Sequence, residues 1–80
     1  MSEEHRFRLT VEREAGALER VLSVARRRRL AMESFTVTTS DPTAWNVSLV
    51  AQGLAAPEAL LALRQFTSLI NVRLARIEEG

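Results

Sequence analysis

The sequence predicts an α+β sandwich: one four-stranded antiparallel sheet with two helices on a single face. Three observations predict it. Four short segments alternate apolar and polar residues or are rich in β-branched and aromatic ones, as half-buried strands are. Two longer segments repeat apolar residues at i, i+3, i+4 and i+7, as amphipathic helices do. These segments follow one another as strand–helix–strand–strand–helix–strand.

Met1 to Glu4 is a polar tail. From His5 to Val11, Phe7, Leu9 and Val11 point one way and Arg6, Arg8 and Thr10 the other, which is a strand. Glu12 to Ala15 is a loop whose acidic residues suit the positive end of the helix that follows. That helix spans about Gly16 to Arg28, with Leu18, Val21, Leu22 and Ala25 as its apolar stripe. Gly16 is a turn residue, or it lets a ligand or second backbone come close to a helix N-terminus whose first N–H groups lack partners. Arg26 to Arg29 fall in the last turn, where cations favour the dipole.

A second strand covers about Leu30 to Thr39, and Ser40-Asp41-Pro42-Thr43 is a turn signal. The third strand, Trp45 to Ala51, directs Trp45, Val47, Leu49 and Ala51 to one face and Asn46, Ser48 and Val50 to the other. These two strands form a hairpin. Gly53 ends it, and Pro57 fits the first turn of a second helix. Ala59, Ala62, Leu63, Phe66 and Ile70 form that helix's stripe, widened by Leu60 and Leu61, which edge the core or touch a partner. Asn71 to Ile77 is the last strand, followed by a short acidic tail. Helical crossovers leave a gap between the first two strands for the third to fill, giving the order 4-1-3-2 of a ferredoxin-like βαββαβ sandwich.

Composition bounds the function. Eighty residues make one small domain, residues 1–80, on the short side for a self-sufficient core, so association is expected. The apolar fraction of 46% is that of a globular chain, and a net charge of +1 exerts no general pull on nucleic acid or acidic lipid. All 11 basic residues are arginine. The absence of cysteine excludes disulfides, thiolate metal sites and a Cys nucleophile. No apolar run approaches the length of a membrane span, and the charged start MSEEHRFR lacks the apolar stretch of a signal peptide, so the expected location is the cytoplasm.

Catalytic and metal motifs are missing. His5, the one histidine, falls at a strand end and is expected in solvent. No His/Asp/Glu set has metal-ligand spacing, there is no P-loop or G-x-G-x-x-G, and Glu12, Glu14 and Glu19 suit a helix start. No cofactor and no enzyme activity are expected. RNA binding on such a sheet needs exposed aromatic residues, yet Phe7 and Trp45 fall on the core side.

The stretch EREAGALERVLSVARRRRLAMESFTVTTSDPT resembles the ACT domain of acetolactate synthase small regulatory subunits. The resemblance is carried by Gly16-Ala17-Leu18, Arg20-Val21-Leu22, Glu33 to Val37, Asp41-Pro42-Thr43 and the Leu69 to Val72 run. It covers about Arg6 to Glu78 and is similar to the short type of subunit with no second domain. It implies a single ACT domain that binds and activates a thiamine-diphosphate-dependent catalytic subunit in branched-chain amino-acid biosynthesis. It also implies valine feedback, with valine held between the first loop and helix N-terminus of one protomer and the start of strand 2 of the other.

Gly16, Ala17 and Leu18 match the backbone part of that effector site. Valine-sensitive members carry asparagine in the loop and before the strand-2 Glu-Ser, where this chain has Arg13 and Ala31. Asparagine both donates and accepts, arginine only donates and alanine does neither, so valine feedback is expected to be weak or absent. The alternative is a free-standing ACT-type module that senses an amino acid and regulates another enzyme.

Two surfaces are candidates for association. Strand 2 is a long edge with Glu33 as its one charge and no proline; pairing through Glu33, Phe35 and Val37 with a second copy would give a homodimer, unless twist or the tails shield it. The uncovered sheet face, with Arg6, Arg8, Asn46, Ser48 and Arg73, is either a solvated face or the contact with the catalytic subunit.

Overall fold

Why the six segments settle as they do is visible in a computed structural model, which describes residues 4–78. The strands are β1 (Glu4–Glu12), β2 (Ala31–Asp41), β3 (Ala44–Gln52) and β4 (Val72–Glu78); the helices are α1 (Ala17–Arg27) and α2 (Ala56–Thr67). The sheet order is β2-β3-β1-β4 and every pairing is antiparallel, the expected sandwich. Most of the N-terminal tail and the last two residues lie outside the described residues.

Alternation puts Phe7, Leu9 and Val11 of β1 opposite Leu49, Val47 and Trp45 of β3, and all but Trp45 are fully buried beneath the helices. Phe66 of α2 meets Phe7 edge-on, with ring centroids 5.4 Å apart and planes at 64°, a favourable aromatic arrangement. Among the described residues no buried side chain is polar or charged.

Three expectations need correction. The buried residues of α1 are Ala17, Val21, Val24 and Ala25, while Leu18 and Leu22 are half-buried at its flanks. A spacing of three or four residues fits more than one rotation of the helix, and small or β-branched residues let α1 lie close to the sheet. Ile70 is not in the stripe of α2, which ends at Thr67; it sits in the following loop, 85% exposed. His5 is half-buried rather than solvated, and its Nε2 lies 3.0 Å from the carbonyl oxygen of Leu54. That bond ties β1 to the loop after β3.

The termini of the helices follow local chemistry. Gly16 precedes α1 with φ +82°, a left-handed conformation natural to glycine. At the other end Arg29 takes φ 55°, and the Leu30 and Arg29 N–H groups return to the carbonyls of Ala25 and Arg26. This closes the helix as a Schellman motif does, with arginine where glycine is usual. Pro57 lies in the first turn of α2, and the Glu58 carboxylate accepts the Ala55 N–H at 3.0 Å.

Candidate functional site

The loop from Glu12 to Gly16 is fixed at its start by two backbone bonds to other segments. The Glu12 N–H donates to the Asn71 carbonyl at 2.8 Å, and the Arg13 N–H to the Thr43 carbonyl at 3.0 Å. The guanidinium of Arg13 sits 5.5 Å from the Trp45 ring centroid, a cation–π arrangement. Arg20 donates to the Asn71 side chain and stands before Gly16, so that a methyl group added at Gly16 would meet it at 3.8 Å. That is ordinary contact. Backbone conformation accounts for the glycine; the space beside it does not.

Ala17 is buried and Leu18 half-buried in the first turn of α1. Ala31, the fifth residue of the candidate effector site, is exposed far away within the same chain. It pairs with Gln52, which pairs with Glu4, whereas Arg13 lies just past Glu12. Eight residues of strand separate the two levels, about 27 Å. A single chain therefore does not assemble Arg13, Gly16, Ala17, Leu18 and Ala31.

The turn facing that loop is ordered by Asp41. Its Oδ1 accepts the Thr43 N–H and the Thr43 hydroxyl, both at 2.7 Å. These bonds, the hydroxyl first, hold the Asp41 carboxyl below the usual carboxylate range against the opposing effect of desolvation, with lesser help from the Ala44 N–H and the charge of Arg73. Pro42 at the first turn position holds φ negative, unlike the turns that match strand twist, and the β2–β3 register shifts between Thr39 and Asp41 to accommodate it.

On the sheet face away from the helices, a shallow trough of about 350 Å³ runs across the strands past Arg8, Thr10, Thr36, Asn46, Ser48 and Arg76. Glu78 takes three arginines, Arg6, Arg8 and Arg76, each at 3.9 Å. Arg73 is elsewhere: its Nε reaches Glu12 at 3.3 Å, beside Thr43 at the loop end. The register shift between Thr10 and Val11 breaks the alternation that would have foretold this. Arg76, which sequence reasoning does not single out, is opposite Arg8 and could be found only once the β1–β4 register is known.

The edge residues divide. Val37 (36% exposed) and Phe35 lie on the helix side of β2, opposite Val47 and Leu49. Met32, on the same side, is 41% exposed. Glu33 falls in a register shift, where its carboxylate accepts the Gln52 amide at 2.7 Å. Among the described residues no three His, Cys, Asp or Glu side chains are grouped to hold a metal, and no helix is long and apolar enough to cross a membrane.

No protein-family model matches the chain, and no curated protein matches it in sequence. Solved structures do match in shape. The ACT domain of GTP pyrophosphokinase from Chlorobium tepidum superimposes with a TM-score of 0.85 at 9% identity, over 98% of this chain and 100% of that one. The regulatory subunit of aspartate kinase from Thermus thermophilus gives 0.74 at 17% identity, over 98% of this chain and 53% of that one. Formyltetrahydrofolate deformylase from Burkholderia mallei gives 0.76 at 20%, over 96% of this chain and 28% of that one. The fold is that of an ACT domain.

Proposed function

We propose that this chain is the activating regulatory subunit of an acetolactate synthase, acting in branched-chain amino-acid biosynthesis as a homodimer with weak or absent valine feedback. The observation that carries the reading is where the residues of the resemblance fall. Gly16-Ala17-Leu18 form the left-handed turn and first turn of α1, and Glu33 to Val37 lie on an open sheet edge. The side chains of Met32 and Val37 remain substantially exposed on the helix side of that edge, a ledge that a second copy would cover.

Antiparallel pairing of β2 with its copy, centred near Thr36, supports the composite effector site. It would carry Ala31 of one protomer to the Asp41–Thr43 turn of the other, and Arg13 is bonded to that turn. At this site Arg13 is engaged with Trp45, Arg20 stands before Gly16, and Ala31 has no polar side-chain atom. Each missing partner for a zwitterionic ligand weakens binding by about 1–3 kcal/mol. The trough with Arg8, Asn46 and Ser48, flanked by Arg6, is the surface offered to the thiamine-diphosphate-dependent catalytic subunit.

A second reading, a free-standing ACT-type module that senses an amino acid and regulates another enzyme, draws support from the variety of enzymes to which structures of this shape belong. The deciding experiment is acetolactate production by the matching catalytic subunit with and without this chain, each with and without valine. A rise that valine does not reverse is expected. A rise that valine abolishes overturns the reading of Arg13 and Ala31 alone. No rise together with no co-purification overturns the subunit assignment and leaves the sensing module.

A further inference from the structure

Charge is unevenly shared between the two layers of this fold. The helices and their flanking loops, residues 13–30 and 53–71, carry seven arginines against three glutamates; the strands carry four arginines against five carboxylates. All four strand arginines, Arg6, Arg8, Arg73 and Arg76, are ion-paired. Among the described residues no arginine of the helical layer has a carboxylate within ion-pair distance. A net charge of +1 therefore conceals a strongly basic side.

That side has a shape. A groove of about 530 Å³ runs along the outer face of α1, lined by Glu19, Arg20, Ser23, Arg26, Arg27 and Leu69. From Arg20 to Arg27 the guanidinium-bearing positions span about 10 Å of helix, close to two turns. Arg20 is held from outside α1 by Asn71, which fixes the groove's upper end. Its far wall is the α2–β4 loop, where Leu69 lines the groove and the next residue, Ile70, is 85% exposed.

We propose that this groove docks an acidic amphipathic segment of a protein partner, its carboxylates on Arg20, Arg26 and Arg27 and an apolar side chain against Leu69 and Ile70. The spread of the cations over about two helical turns matches carboxylates spaced along a peptide. The apolar loop matches a hydrophobic anchor, and no groove residue is aromatic to stack a base. Arginine is enriched at protein–protein contacts, whose buried centre is more apolar than the surrounding surface. The surface is separate from the arginine-lined sheet trough, and the inference stands whichever enzyme the chain regulates.

The test is fluorescence anisotropy of the full chain with a labelled peptide of alternating glutamate and leucine faces. The peptide should bind, weaken with added salt, and fail when its glutamates are replaced by glutamine. Reversing Arg26→Glu and Arg27→Glu together should weaken it about tenfold or more. Arg26→Gln with Arg27→Gln, which keeps the helix without adding charge at its negative end, should weaken it less. Arg8→Glu on the sheet face should leave it unchanged. Absence of peptide binding, equal binding by both α1 variants, loss through Arg8→Glu, or stronger binding to inorganic phosphate or phosphatidylglycerol vesicles would each overturn the proposal.

Discussion

At Gly16 and Arg29 the same backbone region is occupied by the residue that suits it and by one that does not. Gly16 has φ +82° and room for a methyl group beside Arg20, so Gly16→Ala should lose about 1–2 kcal/mol from conformation alone, read from urea unfolding midpoints. Arg29 sits at φ 55°, and Arg29→Gly should gain about 0.5 kcal/mol in the same measurement, strain relief being partly offset by chain entropy. Asp41 supplies a pH dependence. Its folded pKa is lowered, so the unfolded chain binds more protons through the titration range. Its stabilising effect is present above the unfolded carboxylate value and disappears as pH falls through the folded one. Thermal unfolding of Asp41→Asn across acidic pH should show a shallower loss than the parent chain.

Among the elements, α2 rests its core contact on one large side chain. Phe66 is fully buried against Phe7, with only alanines, Ala59 and Ala62, buried beside it on the helix. Phe66→Ala should cost about 3–5 kcal/mol, most of the stability of a domain this small, and circular dichroism should report a largely unfolded chain. Strand β2 behaves differently because its helix-side residues are only partly covered. If β2 pairs with a second copy, Val37→Lys should leave the monomer folded but shift sedimentation from dimer to monomer; a dimer unchanged by the substitution would reject β2 as the interface.

For the whole molecule, the separation of Arg8 from Arg73 gives the partner surface a test. Arg8 belongs to the sheet trough and Arg73 to the loop end beside Glu12. If the trough meets a catalytic subunit, Arg8→Glu should reduce activation of acetolactate production severalfold, an effect of one interfacial charge of about 1 kcal/mol or more, while Arg73→Glu should not. Equal effects would remove the trough as the contact.

Local pattern determined the order of the six elements, the inward faces of β1 and β3, the turn at Asp41-Pro42, and the place of Gly16 before a helix. Alternation and turn chemistry are properties of neighbours in sequence, and they need no knowledge of what lies across the fold. The sheet order also followed, because short connections and crossover rules leave few arrangements. Packing decided the rest. The rotation that buries Val24 while leaving Leu18 and Leu22 at the flanks depends on the surface beneath α1. The separation of Ala31 from Arg13, the displacement of Arg73 from Arg8, and the meeting of three arginines at Glu78 depend on strand register. So does the pairing of the strand arginines with carboxylates. Register is a relation between distant residues, and one shifted position moves a side chain to another surface; that is why only the tertiary structure could decide it.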